Sequence, residues 1–363
     1  MRPYTLDRIP GWRFLRRWRH HDAWRIGVWI GKLLLALLVL GMLAASVQGT
    51  EVLAVLADAQ LGMLAVALLL LPLNIGLQYA KWRVLVHSRC PSATAGELRA
   101  SLLLGFTFGI ITPARLGEFG GRAAAIRGAD RFTLVGLTAV DKFATMSVTI
   151  LAGMLGLFVF TARHPVLNPP PYAIPAFVIL ALVSVGAAVL YLKRRHGADR
   201  SHPRVSRRTS RLRHRLGEMR DALRSLDAVQ RRRLFLLSLF FYLTFLVQFY
   251  FLLLAFGPVD AISAIAGIGT IMLLKTVAPP VTLGELGIRE GVSVYVLGHA
   301  GILAAAAFNA SLLLFAINIL LPSLAGVAIL LRMPRKSGAS REQSPFPGSG
   351  AAPVQAGSGE AHA

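Results

Sequence analysis

Residues 113–122 read PARLGEFGGR and residues 280–289 read PVTLGELGIR, so one pattern occurs twice in this chain. Aligned without a gap, the two copies share Pro, Leu, Gly, Glu, Gly and Arg. Each copy follows a strongly apolar run, where Pro and Gly interrupt a helix and an unpaired Glu or Arg is costly. Matching interruptions in two halves of a chain are typical of a transporter site that is built from broken helices.

The repeat depends on the whole pattern rather than on its commonest letters. Gly and Leu are abundant in this chain, and a third Leu-Gly-Glu occurs at residues 216–218. That third copy lacks the preceding Pro and the spaced Arg, and Glu is scarce in the chain. We therefore interpret the two full copies as an internal repeat.

The composition predicts an all-α polytopic membrane protein. The chain has 363 residues, of which 55% are hydrophobic and 15% are charged. Several apolar runs reach the roughly 20 residues that cross a bilayer. Cys90 is the single cysteine, which excludes an intramolecular disulfide. The spacing of His, Cys and carboxylate residues matches no metal motif, so we expect no metal and no other cofactor.

The formal net charge of +22 is concentrated at the ends of the apolar runs. This placement follows the positive-inside rule, and it favours contact with anionic inner-leaflet lipids over nucleic acid binding. The basic residues 1–26 and the basic end of the last apolar run put both termini in the cytoplasm. We expect a multi-pass protein of a bacterial or archaeal plasma membrane.

The first membrane half is expected at residues 27–192. Full spans are predicted at about 27–47, 61–80, 132–160 and 173–192. The second of these ends at Lys81-Trp82-Arg83, which we interpret as a cationic and aromatic interface anchor. Residues 95–131 are too polar in their middle for a span, and they predict a re-entrant hairpin that enters and leaves on the cytoplasmic side.

The second membrane half is expected at residues 234–331, after a basic cytoplasmic linker at residues 193–233. Apolar residues recur at helical spacing between about 212 and 229, which predicts a helix that is either bound to the inner membrane surface or solvated. Spans at about 234–256 and 303–331 then flank a hairpin at about 261–299. The tail, residues 332–363, is rich in Gly, Ser, Pro and Ala, and disorder is expected there.

The predicted orientations form an inverted-topology repeat. The unit of span, hairpin and span occurs at residues 61–160 facing inward and at residues 234–331 facing outward. The expected fold is therefore about six full spans plus two re-entrant broken-helix hairpins.

The motif prolines and glycines are expected to build the turn of each hairpin. Proline removes a backbone donor and ends the incoming half-helix, and glycine allows the chain to turn back and to pack closely. The backbone amides that open the next half-helix suit a phosphate or a carboxylate. The expected structural residues of the two copies are Pro113, Gly117, Gly120, Pro280, Gly284 and Gly287.

The motif charges are the main candidates for substrate binding. Arg122 and Arg289 each offer a bidentate fork to an anion, and each costs roughly 2.5–3.5 kcal/mol at mid-membrane. Glu118 and Glu285 lie four residues earlier, at the spacing that pairs side chains on a helix. Either each pair only clamps its own hairpin, or the arginines bind a lipid phosphate while the glutamates release it or carry a proton.

Other polar residues are auxiliary candidates. Arg115 has no counterpart, because Thr282 takes its place in the second copy. Lys275 is either a second cation for the head group or a snorkelling residue, and Asn74 either bonds another helix or contacts substrate. Asp141 and Lys142 are adjacent on a predicted helix, so each needs a partner elsewhere. Glu290 directly follows Arg289 and is placed to cap or pair with it.

The sequence resembles the flippase-like family that is named for the transmembrane region of lysylphosphatidylglycerol synthase. The resemblance is carried by Asn74 with residues 81–83, by residues 112–122 and by residues 284–290. It extends over about residues 30–330. The family commonly has other residues where this chain has Gly109, Ala114 and Asp141-Lys142.

The resemblance implies the movement of a lipid or lipid-linked head group between leaflets. The full synthase also carries a soluble aminoacyl-transferase domain, whereas only a short tail follows Arg332 here, so we expect no lysyl transfer. The sequence contains no nucleotide-binding motif, which leaves an ion gradient or simple equilibration as the drive.

Three functions are compatible with these features. The first is a translocase for a phospholipid or a polyprenyl-linked lipid. The second is a membrane-embedded phosphatase or transferase acting on a polyprenyl phosphate or glycolipid. This enzyme is disfavoured because the motif regions contain no His and offer only the hydroxyls of Thr112 and Thr282. We therefore expect no catalytic residue in the motif regions. The third is a scaffold that docks a partner enzyme through residues 193–233.

Overall fold

The computed structural model describes residues 49–112, 115–165, 226–277 and 287–332. Within these ranges the chain is helical and contains no strand. The elements are α1 Gly49–Ala57, α2 Leu61–His87, α3 Ala95–Ile111, α4 Gly117–Ala124, α5 Arg131–Arg163, α6 Ala228–Leu254, α7 Ala261–Val277, α8 Ile288–His299, α9 Ala304–Phe315, a π-helical turn Ala316–Leu320 and α10 Leu321–Arg332.

Four helical segments are long and apolar enough to cross a membrane: α2, α5, α6 and the continuous run Ala304–Arg332. The shortest, α2 and α6, have 27 residues, or about 40 Å at 1.5 Å per residue. These segments confirm helices at four of the predicted spans, and α2 extends past the predicted end to His87. The predicted spans at 27–47 and 173–192 lie outside the described residues, as do most of the linker and nearly all of the tail. The total of about six therefore stays a prediction.

Two pairs of shorter helices occupy the predicted hairpins. The incoming helices α3 and α7 have 17 residues each, about 26 Å, and the outgoing helices α4 and α8 have 8 and 12 residues. In each pair the two helices pack against one another. Each outgoing helix is much too short to cross about 30 Å of hydrocarbon. The broken helices are thus present, and their re-entrant placement in a bilayer stays a prediction.

The first break is shaped by Thr112. Helix α3 begins with a capping box between Thr94 and Glu97 and ends at Ile111. Thr112 is extended, as a residue before a proline prefers, and its hydroxyl accepts the N–H of Gly117, the first residue of α4. A Cβ on Gly117 would overlap the carbonyl of Phe108, so this motif glycine is required by packing.

Each half of the chain packs its hairpin against the last long helix of the other half. Helix α7 packs on α5, and α3 packs on α10, while the first long helices α2 and α6 pack on one another. Helix α4 also touches α5, just as α8 touches α9. Equivalent helices of the two halves thus make equivalent contacts among the described residues, and the inverted repeat itself stays a prediction.

Small residues allow these contacts to be close. On α5, Gly156 lies against Gly269 and Ala266 of α7, and on α10, Gly326 lies against the backbone of Leu103 in α3. The hydroxyl of Thr107 also donates to the carbonyl of Ser323 at 2.9 Å. Small residues and hydroxyl bonds are the usual means by which membrane helices associate.

The α5–α7 contact ends in a polar cluster, where α5 finishes and α7 begins. Asp260 accepts the N–H of Ser263 at 2.9 Å and pairs with Arg163 at 3.2 Å, and His164 bonds the Ser263 hydroxyl at 3.0 Å. The bonds from the Ser263 backbone and side chain, with the charge of Arg163, lower the pKa of Asp260. The cluster ties the end of α5 to the start of α7.

We predict that Gly326→Ala destabilises the protein, because a Cβ there would overlap the Thr107 hydroxyl and the Leu103 carbonyl. Overpacking of this kind costs about 1–3 kcal/mol, so the thermal melting temperature in detergent should fall by several degrees. Gly76→Ala on α2 is the matched control, since its Cβ would meet nothing within 4 Å. Equal melting temperatures for the two variants would contradict the close approach of α3 and α10 at Gly326.

Candidate functional site

A cavity of about 460 Å³ lies between the two halves of the chain. Its wall includes parts of α2, α5, α6, α7 and α8, the first hairpin and the π-helical turn. The charged side chains on this wall are Lys81, Arg115, Asp141, Lys142, Lys275 and Arg289. Among the residues that the structure describes, Glu118 and Glu290 lie outside this wall and pair with three of its cations, Arg115, Lys142 and Arg289. The described charges still include more cations than carboxylates, which suits an anion.

Asp141 is the centre of the charged cluster. Its side chain is buried, with Oδ1 2.9 Å from Lys81 Nζ and Oδ2 2.8 Å from Arg122 Nη1. Lys81 also donates to the Thr145 hydroxyl at 2.7 Å. Asp141 therefore joins α2, α4 and α5, and removing it would leave the buried Lys81 without this ionic partner and would take one of the two carboxylates from Arg122.

Glu118 is the second carboxylate of the cluster. Its Oε1 lies 2.7 Å from Arg122 Nη2, and its Oε2 lies 2.7 Å from Lys142 Nζ and 3.3 Å from Arg115 Nη2. The predicted pairing of Glu118 with Arg122 is confirmed. Lys142 and Asp141 also find separate partners, as their adjacency on a helix requires.

The guanidinium of Arg122 is already occupied by Glu118 and Asp141. It lies 5.0 Å from the Trp82 ring, is 1% exposed, and does not form part of the cavity wall. In this arrangement Arg122 orients the two carboxylates. A direct bond to substrate, as expected from the sequence, would require at least one of these ion pairs to open.

The cluster carries an excess of positive charge. Glu118 and Asp141 together face Lys81, Arg115, Arg122 and Lys142, so two carboxylates are shared by four cations. Arg115 also has a left-handed backbone, with φ of 53°. This is uncommon for a residue with a side chain and costs about 1–2 kcal/mol. Strain of this kind is concentrated at functional sites.

The second motif builds a smaller ion pair. Arg289 donates from Nη2 to Glu290 Oε1 at 2.7 Å and from Nε to the Ser311 hydroxyl at 3.0 Å. Glu290 Oε2 accepts the N–H of Gly287 at 2.7 Å. Glu290 thus both pairs with Arg289 and caps α8. Glu285, the expected partner, lies outside the described residues, as do Pro113, Pro280 and Gly284.

The two motif copies differ in their local structure. Gly287 has φ of 89°, a value that favours glycine, and lies directly before α8, whereas its counterpart Gly120 is inside α4. A Cβ on Gly120 would meet nothing within 4 Å, but one on Gly121 would overlap the Leu104 carbonyl. The close-packing role expected of Gly120 is therefore wrong and belongs to its neighbour.

Lys81 is a charged residue of the site that the sequence did not reveal. Residues 81–83 were interpreted as an interface anchor, but Lys81 is 2% exposed and Trp82 is fully buried. That interpretation is wrong for both residues, and only Arg83 is exposed. The physical reason is that α2 continues to His87, which carries Lys81 inside the protein. The sequence did offer one indication, because Asp141 lies in an apolar helix and needs a cationic partner from another helix.

Asn74 and Lys275 both lie on the cavity wall. Asn74 is 1% exposed, and its Oδ1 accepts a hydrogen bond from Gln78 at 2.8 Å, one turn further along α2. Lys275 is half-buried near the end of α7. Their positions are compatible with the substrate contacts expected from the sequence.

A second cavity, of about 350 Å³ and almost wholly apolar, adjoins the first. It lies between α5, α6 and α7, and Tyr242 lines both cavities. Its rim includes Leu155, Leu243 and Ile262, which are 65%, 43% and 53% exposed. We call it the apolar groove. Tyr242 is the lining residue that this groove shares with the charged cavity.

We predict that Asp141→Asn lowers the free energy of unfolding by about 3–5 kcal/mol, because it removes one partner of a buried ion cluster. Denaturing-detergent titration would measure the change. Asp58→Asn is the control, since Asp58 is exposed and should change stability by less than about 0.5 kcal/mol. The double variant Lys81→Met/Asp141→Asn should be less destabilised than the sum of the single variants. Strict additivity would contradict the coupling.

Comparison with known proteins agrees with a membrane role. The family model described as "Lysylphosphatidylglycerol synthase TM region" matches residues 29–326, which is most of the chain. No curated protein matches the sequence.

Proposed function

Because the chain belongs to the family of the lysylphosphatidylglycerol synthase transmembrane region, we propose that it is an integral membrane lipid translocase. It moves a phosphate-bearing lipid or lipid-linked head group between the leaflets of a bacterial or archaeal plasma membrane. The observation that carries this proposal is the cavity between the two halves, with five cations and one carboxylate on its described wall.

The charge excess supports an anionic head group. Lys142 and Arg115 both lie on the cavity wall and share one carboxylate, Glu118. A phosphate that enters the cavity accepts bonds from both cations without opening the buried Arg122 pairs. Arg289 and Lys275 reach the same cavity from the second half. One head group can therefore contact both repeats, which is the arrangement that alternating access needs.

The apolar groove supports a lipid rather than a soluble anion. It joins the charged cavity at Tyr242, and its rim is made of exposed leucine and isoleucine side chains. A lipid places its head group in the cavity and lets a hydrocarbon chain leave through this groove. The hydrocarbon chain then stays out of water, where its exposure would cost about 0.8 kcal/mol of free energy for each CH₂.

We further propose that the protein leaves the lipid chemically unchanged. The threonine hydroxyls on the described cavity wall donate to their own helix backbone: Thr145 to Asp141, Thr149 to Thr145 and Thr276 to Met272. Thr145 also accepts a hydrogen bond from Lys81, but this ammonium is paired with Asp141 and acts there as a donor rather than as the base that a nucleophile would need. The alternative, an enzyme acting on a polyprenyl phosphate or glycolipid, is an outcome of the following test.

In proteoliposomes, we expect exchange of tail-labelled anionic phospholipids between leaflets above the rate of empty liposomes. The double variant Arg115→Gln/Lys142→Gln should lower the rate at least about tenfold, because each lost bond to a charged group contributes about 1.5–3 kcal/mol. Arg83→Gln is the matched control, since it removes an exposed cation of α2 that lies outside the cavity wall.

Mass spectrometry of the recovered lipids, with a polyprenyl phosphate tested in parallel, separates the two functions. An unchanged lipid with exchange lost only in the double variant would support a translocase. A dephosphorylated or transferred product without exchange would overturn the translocase and favour the enzyme.

Leu155→Trp fills the apolar groove and should slow lipid exchange about fivefold or more by blocking the hydrocarbon chain, the equivalent of about 1 kcal/mol in the barrier. Leu151→Trp is its matched control on α5, because Leu151 is 60% exposed but does not line the groove. The leaflet-exchange assay in proteoliposomes, with dithionite quenching of the lipid label as its readout, measures both variants. Equal slowing by both would show that bulk on α5, rather than occupation of the groove, limits the rate.

A further inference from the structure

Arg122, which orients the two carboxylates of the charged cluster, is itself held by an aromatic ring. The guanidinium carbon of Arg122 lies 5.0 Å from the centre of the Trp82 ring on α2. Both residues are almost wholly buried, at 1% and 0% exposed. A guanidinium over an indole ring is attracted by the negative charge of the ring face, most strongly where water is excluded. The ring therefore holds Arg122 in addition to its two carboxylate partners.

Trp82 also reaches the backbone of Arg122 through a serine. The indole Nε1 can only donate, and it donates to the Ser101 hydroxyl of α3 at 3.0 Å. The Ser101 hydroxyl donates its single proton to the Arg122 carbonyl at 2.6 Å. A carbonyl can only accept, so the direction of both bonds follows from the chemistry of the groups. We call this path from α2 through α3 to α4 the Trp82–Ser101 relay.

The bond to the Arg122 carbonyl is important because α4 is so short. This helix has eight residues, and its last four carbonyls, including that of Arg122, have no partner within the helix. A helix of this length is not stable on its own. Gly105 of α3 restricts Arg122 further, since a Cβ there would lie 2.8 Å from Arg122 Cγ. Arg122 is thus fixed at its backbone, its stem and its guanidinium.

The position of Arg122 determines where the carboxylate of Glu118 lies. Arg122 binds Glu118 Oε1 at 2.7 Å. The other oxygen, Oε2, is then left to Lys142 at 2.7 Å and to Arg115 at 3.3 Å. These two cations line the cavity, whereas Trp82 does not. A displacement of Arg122 would move Glu118 and change the pairing of both cations, so Trp82 acts on the cavity without touching its contents.

Packing alone explains only part of this arrangement. Trp82 belongs to an apolar core that also contains Leu85 and Val86 of the same helix. That core accounts for the ring, but not for an indole N–H and a fully buried Ser101 hydroxyl beside it. Buried polar groups cost free energy unless they are hydrogen-bonded, and here both are bonded within the relay. The polar groups therefore add a directional constraint on Arg122 that apolar side chains would not supply.

We propose that Trp82 and Ser101 are positioning residues for lipid exchange. They fix Arg122 and, through it, the carboxylate that pairs with Lys142 and Arg115. This inference rests on the proposed function and adds to it two residues that lie outside the cavity wall. The rate of exchange consequently depends on the indole N–H and on the Ser101 hydroxyl, as well as on the charges of the cluster.

Variants that break the relay test this role in proteoliposomes. Ser101→Ala and Trp82→Phe should each slow the exchange of labelled phosphatidylglycerol about fivefold, the factor of a single neutral hydrogen bond. The double variant should be no slower than Ser101→Ala alone, because both changes interrupt the same path. Ser238→Ala is the matched control and should leave the rate unchanged, because Ser238 is also fully buried and its hydroxyl has no hydrogen-bond partner within the described ranges. Unchanged rates in both single variants, or multiplied effects in the double variant, would overturn the proposal.

A second background separates positioning from a loss of stability. Lys142→Gln removes one of the two wall cations that Glu118 binds, so the position of Glu118 should affect the rate less. In this background Trp82→Phe should slow exchange less than about twofold. Leu85→Val is the control, because it reduces the same apolar core without removing a group of the relay, and its effect should be equal in both backgrounds. Equal slowing by Trp82→Phe in both backgrounds would show a purely structural role and overturn the positioning role.

Binding in detergent separates this inference from the translocase proposal. Short-chain phosphatidylglycerol should bind about fivefold more weakly to Trp82→Phe and Ser101→Ala than to the wild type, as measured by isothermal titration calorimetry. Weaker binding to both variants, without any exchange by the wild type, would contradict the translocase and support the positioning role. Exchange by the wild type, with binding and rates unchanged in both variants, would support the translocase and overturn the positioning role.

Discussion

The pairing of Asp141 with Lys81 and Arg122 is the interaction on which the first half of the site depends. It holds α2, α4 and α5 together from inside the protein, at distances of 2.9 and 2.8 Å. Charges in so apolar a setting persist only when they are paired. The broken helix of the first hairpin is therefore fastened to two long helices by electrostatics, as well as by packing.

The same cluster supports the proposed binding of an anion in the cavity. Arg122 is saturated by two carboxylates and serves to orient them, while Arg115 and Lys142 share Glu118 at the cavity wall. The excess of positive charge therefore lies at Arg115 and Lys142 on the cavity wall, and not at the buried Arg122. In the proposed function, an anionic head group pairs with Arg115 and Lys142 and leaves the ion pairs of Arg122 intact.

Close helix contacts bring the halves of this cavity together. The glycines of α5 and α7, and Gly326 of α10 against α3, let each hairpin approach the last long helix of the opposite half. Lys275 and Arg289 from the second half consequently line the same cavity as Lys142 from the first. The amphipathic character of the proposed substrate follows from this assembly, because a charged cavity and an apolar groove meet at Tyr242.

The sequence by itself determined the local features: helices at four predicted spans, the two broken hairpins, and the pairing of Glu118 with Arg122, four residues apart. Apolar run length, Pro and Gly, and helical spacing are all short-range signals. Only the tertiary structure decided that Lys81 is buried against Asp141 and that Arg122 lies outside the cavity wall. It also decided that Gly121 rather than Gly120 packs closely, and that Asn318 reaches the cavity from a π-helical turn. These outcomes depend on which helices meet and at what depth, and a pattern within one helix carries no record of its neighbours.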